Sequence, residues 1–549
     1  MTSEAQEPTA QELRTVVAAS AAGTAFEWYD FLVFGSLATI IAQRFFTGLE
    51  PNAAYIFALL TFAAGFAVRP LGALIFGHFG DRIGRKTTFL VTITLMGIAT
   101  FAIGFLPTFD VVGLVAPVLL VSLRMLQGLA IGGEYGGAVI YVAEHAPKGK
   151  RGLLTGWIQT SAAVGLAAAL GVILLTRTVI GEAAFTDWGW RVPFLLSIGL
   201  FGVSIFMRLR LQESPAFRKI RDEGTLSRAP LIESFFRWRN LRIVLIVLFA
   251  LMMPQGTIWY TASFYVPSFL EKVLKVDPVT INVLMIEAVA ASSLLYVFFA
   301  WLSDFIGRKP IMLFGILGAA LSFFPAFHLM VEYANPALAR ANATSPVSVT
   351  ADPASCTIQF DPIGKTEYTN SCDIAKAALA QAGVGYTSND GPPGSLAVVH
   401  VGKTDVASVD TNANDPAARK AMRSGLQARL RAALDGAGYP AKADPAQVNR
   451  RGLFYILLWF VVCATALYGP LAAALVELFP TRIRYSALSL PYHIGTGWFG
   501  GFLPAIAVAI VTATGNIYSG LWFPVVTAGI AVIFGLFALP ETKNRDIHE

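Results

Sequence analysis

The chain has 549 residues, 55% of them hydrophobic and only 14% charged, with a mean hydropathy of +0.60. Soluble domains carry about a quarter charged residues, so this composition excludes an ordinary water-soluble globular protein. The formal charge of +6 and pI near 9.1 would suit nucleic acid if the cations clustered. They follow the hydrophobic pattern instead, which excludes that partner.

Taken in chain order, Met1 to Arg14 is polar and lacks a cleavage-type signal. The first apolar block holds Glu27 and Asp30, so it is expected to stay in the protein as a helix and not to be removed as a signal. Blocks of about the 20 residues that cross a bilayer as helix lie near 17–44, 53–77, 88–107, 112–143, 153–176 and 190–208. A second set lies near 242–270, 280–302, 311–331, 453–476, 486–512 and 518–539. The pattern predicts twelve spanning helices in an all-α polytopic membrane protein. Alternate loops differ sharply in charge. One set (78–87, 144–152, 207–242, 303–310, 477–485) holds nineteen Lys and Arg, the other short set three. The positive-inside rule puts the first set and both termini in the cytoplasm.

An internal repeat organises the chain. Gly77-His-Phe-Gly-Asp81-Arg82-Ile-Gly84-Arg85-Lys86 returns as Leu302-Ser-Asp304-Phe-Ile-Gly307-Arg308-Lys309. Glu144-His-Ala-Pro147 with Arg151 returns as Glu477-Leu-Phe-Pro480 with Arg484. Parallel six-helix repeats are a known carrier design, here 1–210 and 242–334 with 450–549, joined by a cytoplasmic loop at 211–241. From Asp81 to Glu144 is 63 residues, but from Asp304 to Glu477 is 173. The surplus predicts an external insertion at 335–449, between helices nine and ten, where 340–449 carries ten basic and ten acidic residues. It reads as a small α+β unit with strands at Cys356–Phe360 and Ala397–Val401 and helices at Asp373–Ala382 and Ala417–Leu434. It is expected to be a solvated cap more than a gate. Cys356 and Cys372 both fall in it, where a disulfide is chemically permitted. Cys463 lies in a span and is expected to be a buried apolar residue.

Ionisable groups inside spans are costly and point to function. Glu27 and Asp30 share a helix face, being three residues apart. Arg69, Arg124 and Glu134 lie in the second and fourth helices, and Glu287 and His493 in the second half. Packing of helices one, two and four would give these acids cationic partners. A carboxylate beside a permanent arginine is held ionised until the arginine moves, which is the minimum equipment for proton coupling by Glu27, Asp30, Arg124 and Glu134. The glycines around Glu134 also indicate close helix contact. Arg69, Gln159, Gln255, Trp259, Tyr260, Tyr468, Tyr492, His493 and Trp498 are candidates to line a ligand cavity. The arginines favour an anion slightly over a zwitterion. Asp81, Arg82, Arg85, Lys86, Glu144 and Arg151, with Asp304, Arg308, Glu477 and Arg484, are expected to latch the cytoplasmic mouth. Asp81 would accept from a neighbouring helix N-terminus.

At this point the residues resemble a family. Glu27-Trp-Tyr-Asp30-Phe31, Arg69-Pro70-Leu-Gly72, the Gly77–Lys86 loop, Arg124-x-x-Gln127-Gly128, Gly133-Glu134-Tyr135-Gly-Gly137, Gln212-Glu213-Ser214-Pro215 and Pro540-Glu541-Thr542 are similar to the metabolite:proton symporter family of the major facilitator superfamily. The resemblance implies the major facilitator fold, alternating access, the bacterial inner membrane, and substrates such as proline and betaine, α-ketoglutarate, citrate or shikimate. It also implies that the acidic first helix and Arg124 belong to the coupling machinery. It covers nearly everything except the insertion. The expected partners are a small-molecule substrate and the lipid bilayer, with the proton as coupling ion and no other cofactor. A facilitator or exporter of the same fold is the main alternative, and a non-transporting membrane sensor a more distant one. The sequence offers no nucleotide loop, metal cluster or nucleophile–base pair, so an enzyme is not expected.

Overall fold

A computed structural model describes residues 10–47, 51–357, 368–411 and 416–547. Among these residues, ten helices are long and apolar enough to cross a membrane, and the bent pair Ala10–Ser36 and Ala38–Phe45 makes an eleventh. The 32-residue helix Pro51–Arg82 stands where the second span is expected. Each of the twelve expected spans therefore falls on a helix. The first is not continuous: it bends by 61° at Leu37, just after Gly35-Ser36, a pairing at which helices commonly kink.

The helices are held by small residues more than by hydrophobic burial, which gives little drive between helices in lipid. A Cβ at Gly72 would lie 2.0 Å from the Leu129 carbonyl oxygen, and one at Gly132 would lie 2.4 Å from that of Arg69. Only glycine allows helices two (Pro51–Arg82) and four (Val115–His145) to approach so closely. Both also pack on the first helix, which brings Glu27, Asp30, Arg69, Arg124 and Glu134 into one bundle. Helix seven (Trp238–Val273) contains wide π-type turns at Leu248–Met252, Thr261–Tyr265 and Phe269–Val273, and helix eleven (Thr481–Thr514) has one at Ile494–Gly500. Such turns re-aim side chains and recur at functional sites.

Between helices nine (Arg308–Ala334) and ten (Arg450–Leu478) stands a four-stranded sheet of order β2-β1-β3-β4. Its strands are β1 (Val347–Ala351), β2 (Thr387–Asp390), β3 (Val398–Val401) and β4 (Thr404–Ala407). β2 runs parallel to β1, while β3 is antiparallel to β1 and to β4. Helices Ser371–Ala382 and Pro416–Gly436 flank it. The predicted strand over Cys356–Phe360 is not found in its described part: Cys356 and Thr357 follow a tight turn at Pro353–Ser355, and 358–360 lie outside the described residues. Three of the four strands were not anticipated, because each is only four or five residues long and β2 is exposed throughout. Cys356 and Cys372 form a disulfide, with Cα atoms 5.3 Å apart. Cys463 is buried and free.

The unit sits on the C-terminal half. Tyr386 N–H donates to the Gly515 carbonyl at 2.7 Å and its hydroxyl to that of Thr512. Asn335 and the Ala443 amide bond the carbonyls of Leu274 and Lys275, each at 3.0 Å. The C-terminal ends of helices seven and eleven are thereby tied to one platform.

Candidate functional site

The two copies of the repeated loop build a latch with approximate two-fold symmetry. Asp81 is buried, and its oxygens accept from the backbone N–H groups of Tyr485 (3.1 Å) and Ser486 (2.8 Å), at the start of the segment Arg484–His493 in the other half. Asp304 likewise accepts from Gly152 (2.9 Å) and Leu153 (2.8 Å), the first turn of helix five (Arg151–Ile180). Each acid caps a helix across the interface, where unpaired N–H groups and the helix dipole favour a carboxylate. Arg85 is held by Asp81 at 2.9 Å and donates to the Thr481 carbonyl at 2.5 Å. Arg308 is held by Asp304 at 2.7 Å and by Glu477 at 3.1 Å. Glu144 crosses to Arg484 at 2.6 Å, and Arg151 approaches Glu477 at 3.7 Å. The motif-bearing face is closed.

Arg82 and Lys86 stand outside this latch. Arg82 is exposed and approaches His78 at 3.4 Å, while the Lys86 ammonium donates to the Leu209 carbonyl. One residue along a helix turns the side chain by about 100°, so the neighbour of a buried Asp81 faces outward. Two acids that sequence reasoning left without a role complete the symmetry. Glu213 accepts from the amides of Arg85 and Lys86, and Glu541 from those of Arg308 and Lys309. Burial works to raise the Glu541 carboxyl, but the backbone N–H groups of Arg308, Lys543, Lys309 and Thr542 outweigh it and hold it below the ordinary glutamate range. The two matching Glu-bearing turns were the available signal. The C-terminal segment joins in through the carbonyls of Arg545, bonded by Arg151, and Ile547, bonded by Arg484.

Deeper in the membrane a central cavity of about 40 Å³ lies between the halves. Glu27, Trp28, Phe66 and Arg69 line it from the N-terminal half, and Gln255, Trp259, Tyr260, Tyr468, Tyr492 and Thr496 from the C-terminal half. Arg69 stacks over Phe66 at 4.2 Å and lines the same cavity as Glu27, whose Oε2 is buried without a hydrogen-bond partner among the described residues. Tyr492 stacks on Tyr135 at 3.9 Å and shares a 2.8 Å hydroxyl contact with Tyr468. Gln159 donates to the Tyr135 hydroxyl at 2.9 Å, so it braces the cavity's tyrosines and does not line the cavity. His493 is buried with its ring edge-on to Tyr492 at 5.0 Å, also outside the lining. Glu287 and Trp498 are exposed, away from this centre.

Beside the cavity two separate polar networks run through the N-terminal half. Asp30 accepts from Gln127 at 2.8 Å and stands 3.5 Å from Arg124, which itself donates to Gln127 at 2.8 Å. Thr100 accepts from the same Gln127 amide. Glu134 is not partnered by Arg69 or Arg124: it pairs with Arg208 of helix six (Arg191–Leu209) at 2.5 Å and accepts from Thr92 at 3.0 Å. Ten residues of helix, about 15 Å, separate Glu134 from Arg124. The loop charge pattern places Arg208 among the loop cations, yet it is 1% exposed and lies over the Phe89 ring at 3.4 Å. Its position at the end of an apolar run hid it.

Residues 15–233, 226–351 and 436–549 match the family described as Sugar (and other) transporter, and the chain belongs to that family. Beyond the first 14 residues, the unmatched stretch is 352–435, within the insertion. The fold is that of the major facilitator superfamily: the proton:xylose symporter XylE superposes with a TM-score of 0.64 at 15% identity, over 99% of both chains. The glycine betaine/proline/ectoine/pipecolic acid transporter OusA of Dickeya dadantii is 29% identical over 97% of this chain and 85% of its own length. The shikimate transporter of Escherichia coli is 37% identical over 57% of this chain and 72% of its own. The protein is thus an integral membrane transporter of a small molecule, and not an enzyme.

Proposed function

We propose that the protein is a proton-coupled symporter that imports a small zwitterion across the bacterial inner membrane by alternating access. The observation that carries this is the meeting of Glu27 and Arg69 in one aromatic-lined cavity, with the Asp30–Gln127–Arg124 network directly behind it. An arginine alone would suit an anion, as the sequence suggested. A carboxylate in the same small cavity repels an anion and pairs with a cationic head, so the two together suit a molecule bearing both charges. The relative that carries betaine and proline supports the same class. Asp30 is the coupling acid. A proton there leaves Arg124 with Gln127 as its neutral partner and removes the charge that ties helix one to helix four, which frees the N-terminal half to rock.

The motif loops and both termini face the cytoplasm and the insertion faces outward. Two independent features support that orientation: the loop charge bias, and a disulfide in the insertion, which belongs on an oxidising side. The alternative substrate is a cyclic carboxylate, supported by the shikimate-transporting relative. Coupling is tested in weakly buffered vesicles by adding a pulse of glycine betaine or shikimate without any imposed gradient. Alkalinisation of the medium on the betaine pulse alone is expected. Alkalinisation only with shikimate would transfer the assignment to carboxylates, and no pH change with either would leave a facilitator.

A further inference from the structure

A second, larger cavity of about 490 Å³ lies next to the central one, in the half of the membrane away from the latch. Helices one, five, seven, eight (Pro278–Ile306) and ten line it, mostly with apolar groups, among them Leu32, Phe264 and Val461. Among the described residues, the two cavities share Trp28 of helix one and Trp259 of helix seven. Their rings meet across the halves at 5.7 Å. Trp259 is positioned by its Nε1–H, which donates to the Tyr296 hydroxyl at 3.2 Å. The larger volume falls within the range of ligand pockets, about 300–1,000 Å³, whereas the central one holds little more than water. The two indoles therefore stand at the junction of the two cavities.

Among the described residues, six of the ten lining the central cavity are aromatic and one, Glu27, is acidic. Aromatic faces attract cations that shed their water, tryptophan most strongly, and quaternary ammonium groups are the favoured guests of such surrounds. We propose that Trp28 and Trp259 form an aromatic threshold that selects substrates with a quaternary ammonium head, with Glu27 as counter-charge on its inner side. The head enters from the apolar chamber and passes the indole faces; as the halves move, the rings part and the central cavity widens, so that the head comes to rest near Glu27 while the carboxylate of the same molecule reaches Arg69. This rests on the zwitterion symport proposed above and adds which zwitterions are chosen and by which side chains.

The test compares glycine betaine with 3,3-dimethylbutyrate, which has the same shape with carbon in place of the cationic nitrogen. Each competes with labelled glycine betaine for uptake by the full chain in proteoliposomes. The wild type is expected to favour betaine by at least a hundredfold. Trp28→Leu and Trp259→Leu should each cut that preference about tenfold, and Trp→Phe at either position should retain most of it. A ratio of inhibition constants does not depend on how much protein is active, so it is readable in a poorly folding variant. If a leucine variant carries no uptake, site-specific fluorinated tryptophan keeps the shape and weakens the π face. Betaine affinity should then fall with each fluorine while 3,3-dimethylbutyrate affinity stays level. An unchanged preference in the leucine variants, or no response to fluorination, overturns the threshold while leaving zwitterion symport standing. Uptake of shikimate without uptake of any betaine overturns both.

Discussion

Gln127 stands between Asp30 and Arg124, donating to the acid at 2.8 Å and accepting from the arginine at 2.8 Å, so that the two charges remain 3.5 Å apart. An acid held chiefly by a neutral amide exchanges its proton without first breaking a tight bidentate ion pair. Gln127→Leu should leave both charges short of a buried hydrogen-bond partner and destabilise the protein by about 1–3 kcal/mol. Gln127→Glu should instead pair directly with Arg124 and uncouple transport. Thermal unfolding in detergent and gradient-driven uptake read the two effects.

The latch offers a sharper test of helix capping. Asp81 accepts from the amides of Tyr485 and Ser486. Asp81→Ala should remove about 1 kcal/mol or more of cap and dipole stabilisation and shift the population toward the state open at this face. Hydrogen exchange at those two amides is expected to speed up several-fold. Asp304→Ala should do the same at Gly152 and Leu153, whereas Arg82→Ala should change neither, since Arg82 lies outside the latch.

Arg208 and Glu134 are each about 1% exposed. Arg208→Met leaves an uncompensated buried carboxylate and should cost about 3–5 kcal/mol, seen as a large drop in melting temperature. Replacing both, Glu134→Leu with Arg208→Met, should recover most of that loss. Full loss in the double variant would mean that the pair itself is needed.

Glu541 gives a pH signature outside the membrane. Its folded pKa is depressed by the amides of Arg308, Lys543, Lys309 and Thr542 acting against burial. The stabilisation is therefore present above the unfolded glutamate value, about 4.3, and is lost as pH falls through the lower folded value. The anchoring of the C-terminal segment should be constant from neutral pH to about pH 5 and weaken only in stronger acid. Glu541→Gln should remove that acid dependence, as measured by exchange at Arg308 and Lys309.

Much of this was legible in the sequence because membrane helices announce themselves. Each must be about 20 apolar residues, so twelve blocks appear without tertiary information, and the repeat fixes how they group. The latch was largely readable too: Asp81, Glu144, Arg151 and their second-half counterparts recur at fixed spacing, and symmetry demands matched partners. What failed depended on facing and on depth. Arg82 and Lys86 share the motif but point elsewhere. Arg208 looks like a loop cation until helix six is seen to end beside Glu134. Trp28 and Tyr135, which shape the centre, are aromatic residues among many, and only the packing of helices one, four, seven and eleven singles them out. The short strands β2 and β4 carry too little hydrophobic pattern to be found.

If Asp30 couples substrate to protons, accumulation of substrate must depend on its carboxylate. Proteoliposomes with an inside-alkaline pH gradient are supplied with labelled glycine betaine. The wild type should concentrate it above the external level, while Asp30→Asn should only equilibrate it and still exchange labelled for unlabelled substrate. A wild type that reaches the same level with and without the gradient would contradict the account, as would an Asp30→Asn variant that still concentrates betaine.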